Sequence, residues 1–195
     1  MGETAVFLNP PIRVAEQYTM LDCLSEGRLV AGFPVGLGGD FSYSYGMAPM
    51  EQRGRYYEAH DLITKAWTAK EQFAWNGKYY PLPMVNIWRQ PLQKPRPPIW
   101  VPENARPSTW DFVIKQDHSD CFLMYFGAKG AEPRVNGYWE RAEELGRDRN
   151  PYRLGCLIPD VRSGTTNRGS IIGGRKRVSR MRYGRRLRQN IRNTQ

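Results

Sequence analysis

The segment IWVPENARPSTWDFVIKQDHSDCFLMYF, residues 99–126, carries the strongest indication of fold class in this chain. It opens with a short apolar run at 99–101 and closes with another at 121–126, and each run predicts a buried strand. Between them, apolar residues recur at helical spacing around Val113, and Ser108 is placed to start a capping box. Strand, helix and strand in this order predict a βα unit in a parallel sheet, hence an α/β fold.

Three further segments show the period of an amphipathic helix. The first follows a proline pair and is predicted to end at Gly27, and the third is predicted to end at Gly146. The predicted buried stripes are Val14, Tyr18, Leu21 and Leu24 in the first helix, Tyr56, Ala59, His60, Ile63, Ala66 and Trp67 in the second, and Val135, Tyr138, Trp139, Ala142 and Leu145 in the third.

Short apolar runs at 28–33 and 153–158 predict two more strands, and the run at 5–8 predicts the end of a preceding strand. Strands that are apolar throughout are typical of parallel sheets, which are covered on both faces. Asn-Gly at 76–77, between two aromatic runs, predicts a hairpin with a two-residue turn. The proline-rich stretch at 91–98 predicts an irregular connector.

Charge divides the chain into a neutral body and a cationic tail. Residues 160–195 contain ten Arg, one Lys and one Asp, so this segment carries the whole formal charge of +10. We expect a domain at 1–158 and a disordered Arg-rich tail at 159–195. The tail has the charge to bind polyanions non-specifically, but no zinc spacing or RNA-binding aromatic motif accompanies it, so a nucleic-acid-binding function is not favoured.

The remaining composition argues for a cytosolic protein. No apolar run approaches the length of a membrane-spanning helix, and the N-terminal apolar run is too short for a signal peptide. The three Cys are widely spaced without a metal-ligand pattern, which predicts buried free thiols. We therefore expect a cytoplasmic location and no metal.

Four stretches resemble the luciferase-like flavin-dependent monooxygenases, in the order and with the spacing of that family. They are NPPIRVAEQYTMLDCLSEGRLVAGFPVG at 9–36, MEQRGRYYEAHDLITKAWT at 50–68, FAWNGKYYPLPMVNIWRQPLQKPRPPIWV at 73–101 and YWERAEELGRDRNPYRL at 138–154. The resemblance implies a (β/α)8 barrel, whose active site lies at the carboxyl ends of the strands. It also implies a truncated member that retains about strands 3 to 7, and the Arg bias of the tail, which lacks periodicity, is interpreted as an out-of-frame or otherwise abnormal C-terminus.

The family resemblance further implies the chemistry. Members use reduced FMN and O2 to oxygenate an organic substrate, or in one branch use the deazaflavin F420, so an oxidoreductase activity is expected, although a truncated copy is expected to be impaired. A flavin reductase that supplies reduced flavin and a homo-oligomeric assembly are the partners it implies. No Ser-His-Asp order or phosphate-loop motif appears, and the cofactor carries the hard step in such enzymes.

The phosphate of the flavin suits a helix N-terminus, where free backbone N–H groups favour an anion. The loop that precedes the helix in the opening segment fits such a site, and it partly matches a Glu-Ser-Ala-Ser run of the luciferase branch. The predicted cofactor residues are Val101, Pro102, Glu103, Asn104, Ala105, Arg106, Ser108 and Thr109. The alternative is a plain helix cap, which Ser108 would provide in any βα unit.

One position departs from the family. Many members carry a phosphate-binding Arg in the turn after the strand at 28–33, and Val35 stands there in this chain. Arg53, Arg55 or Arg106 is then the candidate substitute, or phosphate binding is weak.

The remaining candidates favour structural roles. Residues 124–126 could line the flavin ring pocket, but ordinary sheet core is at least as well supported. His60 falls on an apolar helix face, which predicts a core residue, and His118 lies in a polar turn that enters a strand at the end of the barrel opposite the site.

Overall fold

A computed structural model describes residues 2–3, 9–36, 43–103, 106–123 and 127–157. The helices are α1 (Pro11–Leu24), α2 (Gln52–Thr68), α3 (Pro107–Lys115) and α4 (Gly127–Glu144). The strands are β1 (Gly2–Glu3), β2 (Ala31–Gly32), β3 (Phe73–Asn76), β4 (Pro81–Val85), β5 (Ile99–Glu103), β6 (Ser119–Leu123) and β7 (Leu154–Leu157). The apolar run at 5–8, the end of the predicted strand at 124–126 and the tail at 159–195 lie outside the described residues.

Five strands form one sheet in the order β1-β2-β5-β6-β7, and every neighbouring pair in it is parallel. A helix lies in the chain between each successive pair of these strands, which confirms the predicted α/β class and parallel sheet. β2 is shorter than the predicted strand at 28–33. Its end is fixed by two buried tyrosine hydroxyls, since Tyr18 donates to the carbonyl of Gly32 and Tyr56 to that of Phe33, each at 2.8 Å.

α2 packs on the sheet through the face that its periodicity predicts. All six predicted residues are buried, and the Phe33 ring lies 5.8 Å from the ring of Trp67, centroid to centroid. The indole N–H of Trp67 donates to the carbonyl of Ala15 at 3.0 Å, which joins α2 to α1. Because Phe33 and Val101 follow paired residues of β2 and β5, both side chains point toward this helical layer.

The predicted stripe of α1 is wrong for two of its four residues. Leu21 is 45% exposed and Leu24 is 75% exposed, whereas Asp22 is fully buried. Gln93 satisfies the Asp22 carboxylate with its backbone N–H at 3.0 Å and its side-chain amide at 2.7 Å. This pairing turns α1 so that an acidic residue faces inward. The helix ends at Leu24, before the predicted stop at Gly27, and Glu26 adopts the left-handed conformation after the cap at φ 55°; Gly27, at φ 75°, donates its N–H to the carbonyl of Asp22.

The predicted hairpin is confirmed, but the predicted two-residue turn is wrong. β3 and β4 pair antiparallel with Asn76 opposite Pro81, so four residues connect them rather than two. The Glu58 carboxylate of α2 accepts the backbone N–H of Tyr79 at 3.0 Å and that of Tyr80 at 2.9 Å. These amides are therefore taken by α2, which leaves them outside the strand ladder. The connector at 91–98 is irregular, as predicted.

The cysteines are free, as their spacing indicates. Cys121 is buried, and Cys23 and Cys156 are half-buried. In the described ranges, no helix has the length and hydropathy needed to cross a membrane.

Candidate functional site

The carboxyl ends of β2 and β5 lie side by side, and three turns start from them. The backbone N–H of Phe33 donates to the carbonyl of Trp100 at 2.8 Å, so the two strands leave the sheet at the same edge. The side-chain amide of Gln52, at the start of α2, donates to the carbonyl of Val35 at 3.3 Å. The turn after β2, the start of α2 and the loop after β5 are thereby brought together at the end of the sheet where ligands bind in barrels of this class.

Glu103 ends β5 and organises the start of α3. Its side chain is 7% exposed, and its carboxylate accepts the backbone N–H of Arg106 at 2.8 Å and the indole N–H of Trp110 at 3.3 Å. The N-cap of α3 is Arg106 and no side chain of that residue caps the helix, so the capping box predicted at Ser108 does not form. Pro107 occupies the first helical position, which moves the start of the helix one residue before the predicted cap.

Arg53 reaches the same helix end from α2. Its guanidinium donates to the Ser108 hydroxyl at 2.7 Å across 55 residues of sequence. Arg55 is engaged elsewhere, because it pairs with Glu51 at 2.8 Å and its guanidinium lies 5.0 Å from the centre of the Tyr79 ring. Of the three arginines considered as substitutes for the missing turn arginine, Arg53 is the one whose guanidinium contacts the first turn of α3.

The predicted cofactor residues fall into different environments. The side chain of Val101 is completely buried on the helical side of the sheet and Thr109 is 3% exposed, so both belong to the core. Pro102 is half-buried on the other face of β5, and Arg106 and Ser108 are exposed. Residues 104–105 lie outside the described part of the chain, as do residues 124–126, the candidates for the ring pocket.

A second acidic residue lies beside Glu103 that sequence reasoning did not single out. Asp120 of β6 is 1% exposed, and neither of its carboxyl oxygens has a hydrogen-bond partner. Burial, followed by the charge of Glu103, raises the pKa of Asp120 well above its ordinary range. The fold therefore favours the protonated form of Asp120 more strongly than water does. An acid within the apolar run after Ser119 was the signal available in the sequence.

The two histidines also meet, although they are 58 residues apart. The Nε2 atoms of His60 and His118 are 2.7 Å apart, and both side chains are buried. The core position of His60 is confirmed, and His118 lies directly before β6, at the amino end of the sheet. Nothing in the spacing of the two histidines indicated that they would touch.

A second concave site lies away from the sheet end. A groove with a volume of about 240 Å³ lies between the last turn of α2 and the segment that includes Val85 and Gln90, away from the start of α3. No group of three or more His, Cys, Asp or Glu side chains that could hold a metal ion occurs in the described ranges.

A parallel sheet with a helix after each strand places the chain among α/β proteins that resemble (β/α)8 barrels. Residues 2–161 match the model of the luciferase-like monooxygenase family, and the chain belongs to that family. The match confirms the resemblance found in the four sequence stretches.

Three similar proteins illustrate the relationship. The oxygenase component of a flavin-dependent trigonelline monooxygenase from Acinetobacter baylyi (strain ATCC 33305 / BD413 / ADP1) is 32% identical over 110 residues, which are 54% of this chain and 29% of that protein. The FMN complex of the oxygenating constituent of 3,6-diketocamphane monooxygenase, from the CAM plasmid of Pseudomonas putida, superposes with a TM-score of 0.66 and 19% identity, over 79% of this chain and 46% of that chain. An F420-dependent secondary alcohol dehydrogenase in complex with an F420-acetone adduct superposes with a TM-score of 0.58 and 17% sequence identity, over 76% of this chain and 44% of that chain.

The two solved structures are 19% and 17% identical to this chain, so they show the fold alone. The matches to the two curated relatives cover 30% and 29% of the length of those proteins, so this chain matches less than a third of each.

Proposed function

We propose that this chain is part of a flavin-dependent monooxygenase of the luciferase type and that it holds the phosphate of reduced FMN at the start of α3. In this proposal, residues 1–158 form the section of a (β/α)8 barrel that spans about strands 3 to 7, and residues 159–195 are a separate Arg-rich tail. The family membership and the parallel order of β1, β2, β5, β6 and β7 support it.

The observation that carries the proposal is the contact of Arg53 with Ser108. A guanidinium and a hydroxyl are placed 2.7 Å apart at the first turn of a nine-residue helix, at the carboxyl edge of the sheet. An Arg presents several N–H donors in a planar fork, and phosphate oxygens can accept from it while the Ser hydroxyl donates. The positive end of the α3 dipole acts in the same direction.

Glu103 has a positioning role in this site. Its carboxylate holds the Arg106 amide and the Trp110 indole, so the loop after β5 is fixed to α3 before any ligand arrives. Val101 and Thr109 support the loop from the core, whereas Arg53 and Ser108 would contact the phosphate directly. Arg106, with an exposed side chain, and Asn104 and Ala105 complete the proposed loop.

The bound reduced flavin would supply the electrons for oxygenation of an organic substrate by O2. The trigonelline enzyme is described as an oxygenase component, which supports a separate flavin reductase as the partner of this protein. The dehydrogenase neighbour supports F420 as the alternative cofactor, and F420 also carries a phosphate group.

The phosphate site can be tested by comparing FMN with riboflavin, which lacks the phosphate. We expect the full chain to quench FMN fluorescence with a dissociation constant about 10-fold or more below that for riboflavin, as charge-assisted hydrogen bonds of this kind contribute about 1.5–3 kcal/mol. In Arg53→Ala the preference for FMN should disappear, while riboflavin binding should not change.

Arg28→Ala provides a matched control, because Arg28 is exposed before β2, at the opposite edge of the sheet, and its Nε donates only to the carbonyl of Ser25. This variant removes the same charge and should retain the preference for FMN. Equal binding of FMN and riboflavin by the wild type would overturn the phosphate site, and binding of F420 but not FMN would select the alternative cofactor.

A further inference from the structure

The buried histidine pair lies at the amino end of the sheet, whereas the proposed cofactor loop lies at the carboxyl end. His60 is 1% exposed and His118 is 2% exposed, and the ring of Phe112 lies 4.9 Å from that of His60. The pair joins the middle of α2 to the residue that precedes β6. It is the direct polar contact between these two elements in the described structure.

The outer partners of the pair decide which ring nitrogens carry protons. Asp61 lies 2.9 Å from Nδ1 of His60, and a carboxylate can only accept, so His60 donates from Nδ1. The guanidinium of Arg96 lies 3.4 Å from Nδ1 of His118, and a guanidinium can only donate, so His118 accepts at Nδ1. His118 then carries its proton on Nε2, which donates to the bare Nε2 of His60.

A single direction of donation therefore satisfies the three side-chain contacts, from Arg96 to His118, from His118 to His60, and from His60 to Asp61. Both imidazoles are neutral in this arrangement, and each uses both of its nitrogens. A metal ion between the rings is disfavoured, because His118 would have to give up its Nε2 proton and turn a protonated Nδ1 toward the Arg96 guanidinium.

We propose that this histidine chain is an acid-labile lock between α2 and β6. Each imidazole nitrogen able to accept a proton already accepts a hydrogen bond. A proton added to His60 would place two N–H groups face to face across 2.7 Å, and one added to His118 would meet the Arg96 guanidinium. A proton on either ring would break the contact and leave a charged ring among aromatic side chains, so the histidines take up protons when α2 separates from the start of β6, and acid favours that separation.

Burial and the cations around the pair lower the pKa of both histidines, and two neighbours, Asp61 and Asp117, oppose them. Burial, the neighbouring His60, Arg96 and Arg153 lower the pKa of His118 to about 2. Burial and Arg96 also lower the pKa of His60, against the opposing effect of Asp61, which is 54% exposed and screened by water. A hydrogen bond with the Asp117 backbone raises the pKa of His118, and it is the smallest of these effects. A histidine whose pKa is lowered on folding stabilises the protein above about pH 6.5, and that stability is lost as the pH falls below this value.

The first test uses the wild-type chain, which contains only two histidines. Nitrogen chemical shifts of ¹⁵N-histidine-labelled protein should show one ring protonated on Nδ1 and the other on Nε2, and both neutral at pH 5.5. Two rings in the same tautomer, or two rings that titrate near pH 6.5, would overturn the lock. Because this measurement needs no variant, it stays decisive if a substituted protein fails to fold.

The second test measures the pH dependence of urea unfolding in an Asp120→Asn background. That background is needed because folding raises the pKa of Asp120, so its effect on the pH dependence of stability has the opposite sign to that of the histidines. In this background, lowering the pH from 7.5 to 5.5 should reduce the folding equilibrium constant about 100-fold, because both histidines gain protons in the unfolded state and stay neutral in the folded one.

His60→Gln and His118→Gln together, in the same background, should reduce this loss to less than about 3-fold, and His118→Gln alone should leave about 10-fold, the share of one histidine. The glutamine amide at 118 can still donate to His60, which separates loss of titration from loss of the contact. An unchanged 100-fold loss in the double-glutamine protein would show that other groups sense the acid.

Discussion

α2 contacts the sheet along its length, and the polar groups at the two ends of this contact differ in their exposure. At the carboxyl end, Arg53 and Ser108 meet at the surface, where the Ser108 side chain is exposed and the guanidinium has further N–H donors to offer. At the amino end, His60 and His118 are buried and both nitrogens of each ring are used. A polar cluster can therefore bind a ligand where its donors stay accessible, and it joins secondary-structure elements where each donor already has an acceptor.

Asp120 lies between these two ends, on the helical side of β6, and belongs to neither type. It is as buried as the histidines, yet its oxygens have no hydrogen-bond partner. A buried polar group without a partner costs free energy, so Asp120 weakens the fold at neutral pH. Stability measurements on variants of the two ends and of this residue test whether the polar groups differ in this way.

The largest loss is expected from His118→Leu at the amino end. It removes the donor to His60 and the acceptor of Arg96, so two polar groups lose their partner, and we expect the free energy of unfolding to fall by about 2–4 kcal/mol. Urea unfolding at pH 7.5 measures this, with His118→Gln as the control that keeps a donor. Equal losses in both variants would contradict a role for the hydrogen bond.

Asp120→Asn should stabilise the protein, by an amount that grows with pH. A carboxyl whose pKa is raised on folding supports the fold below its ordinary pKa, and that support is lost as the pH rises toward the raised value. The free energy of unfolding of the wild type should therefore fall relative to that of the variant as the pH rises above about 4. Unfolding free energies of both proteins at several pH values check the slope, and parallel curves would show that Asp120 is ionised when folded.

Tyr56→Phe should cost about 1–2 kcal/mol, because the buried carbonyl of Phe33 loses its donor. The matched control is Tyr57→Phe, whose half-buried ring lies 5.7 Å from that of Tyr56. Chemical denaturation of the two variants separates the hydroxyl from the ring. A loss in the control as large as that of Tyr56→Phe would refute the assignment.

Arg53→Ala is expected to have the smallest effect on stability, within about 0.5 kcal/mol, since it removes a partly exposed group with no buried partner. Its consequence should appear in the preference for FMN over riboflavin. Thermal unfolding without ligand checks the first statement. A loss comparable to that of His118→Leu would mean that the two ends do not differ in kind.

Local sequence predicted the buried face and the order of elements correctly where packing depends on the periodicity of a single helix or strand. The face of α2 and the βα order follow from periodicity because the apolar residues of a helix must turn toward the sheet. Periodicity failed for Leu21 and Leu24. The backbone N–H of Gln93, 71 residues away, donates to the Asp22 carboxylate, and this contact turns Asp22 inward and the two leucines outward. The hairpin turn at 77–80 fails for the same reason, since Glu58 of another element takes its amides.

The sequence alone determined the α/β class, the parallel sheet, the helices and the family, because these depend on periodicity and on short stretches of residues that stay together. Only the tertiary structure decided that Arg53 meets Ser108, that His60 meets His118 and that Asp120 lies unpaired beside Glu103. Such contacts join residues far apart in the chain, and they depend on the position and rotation with which each helix docks on the sheet, which no local pattern encodes.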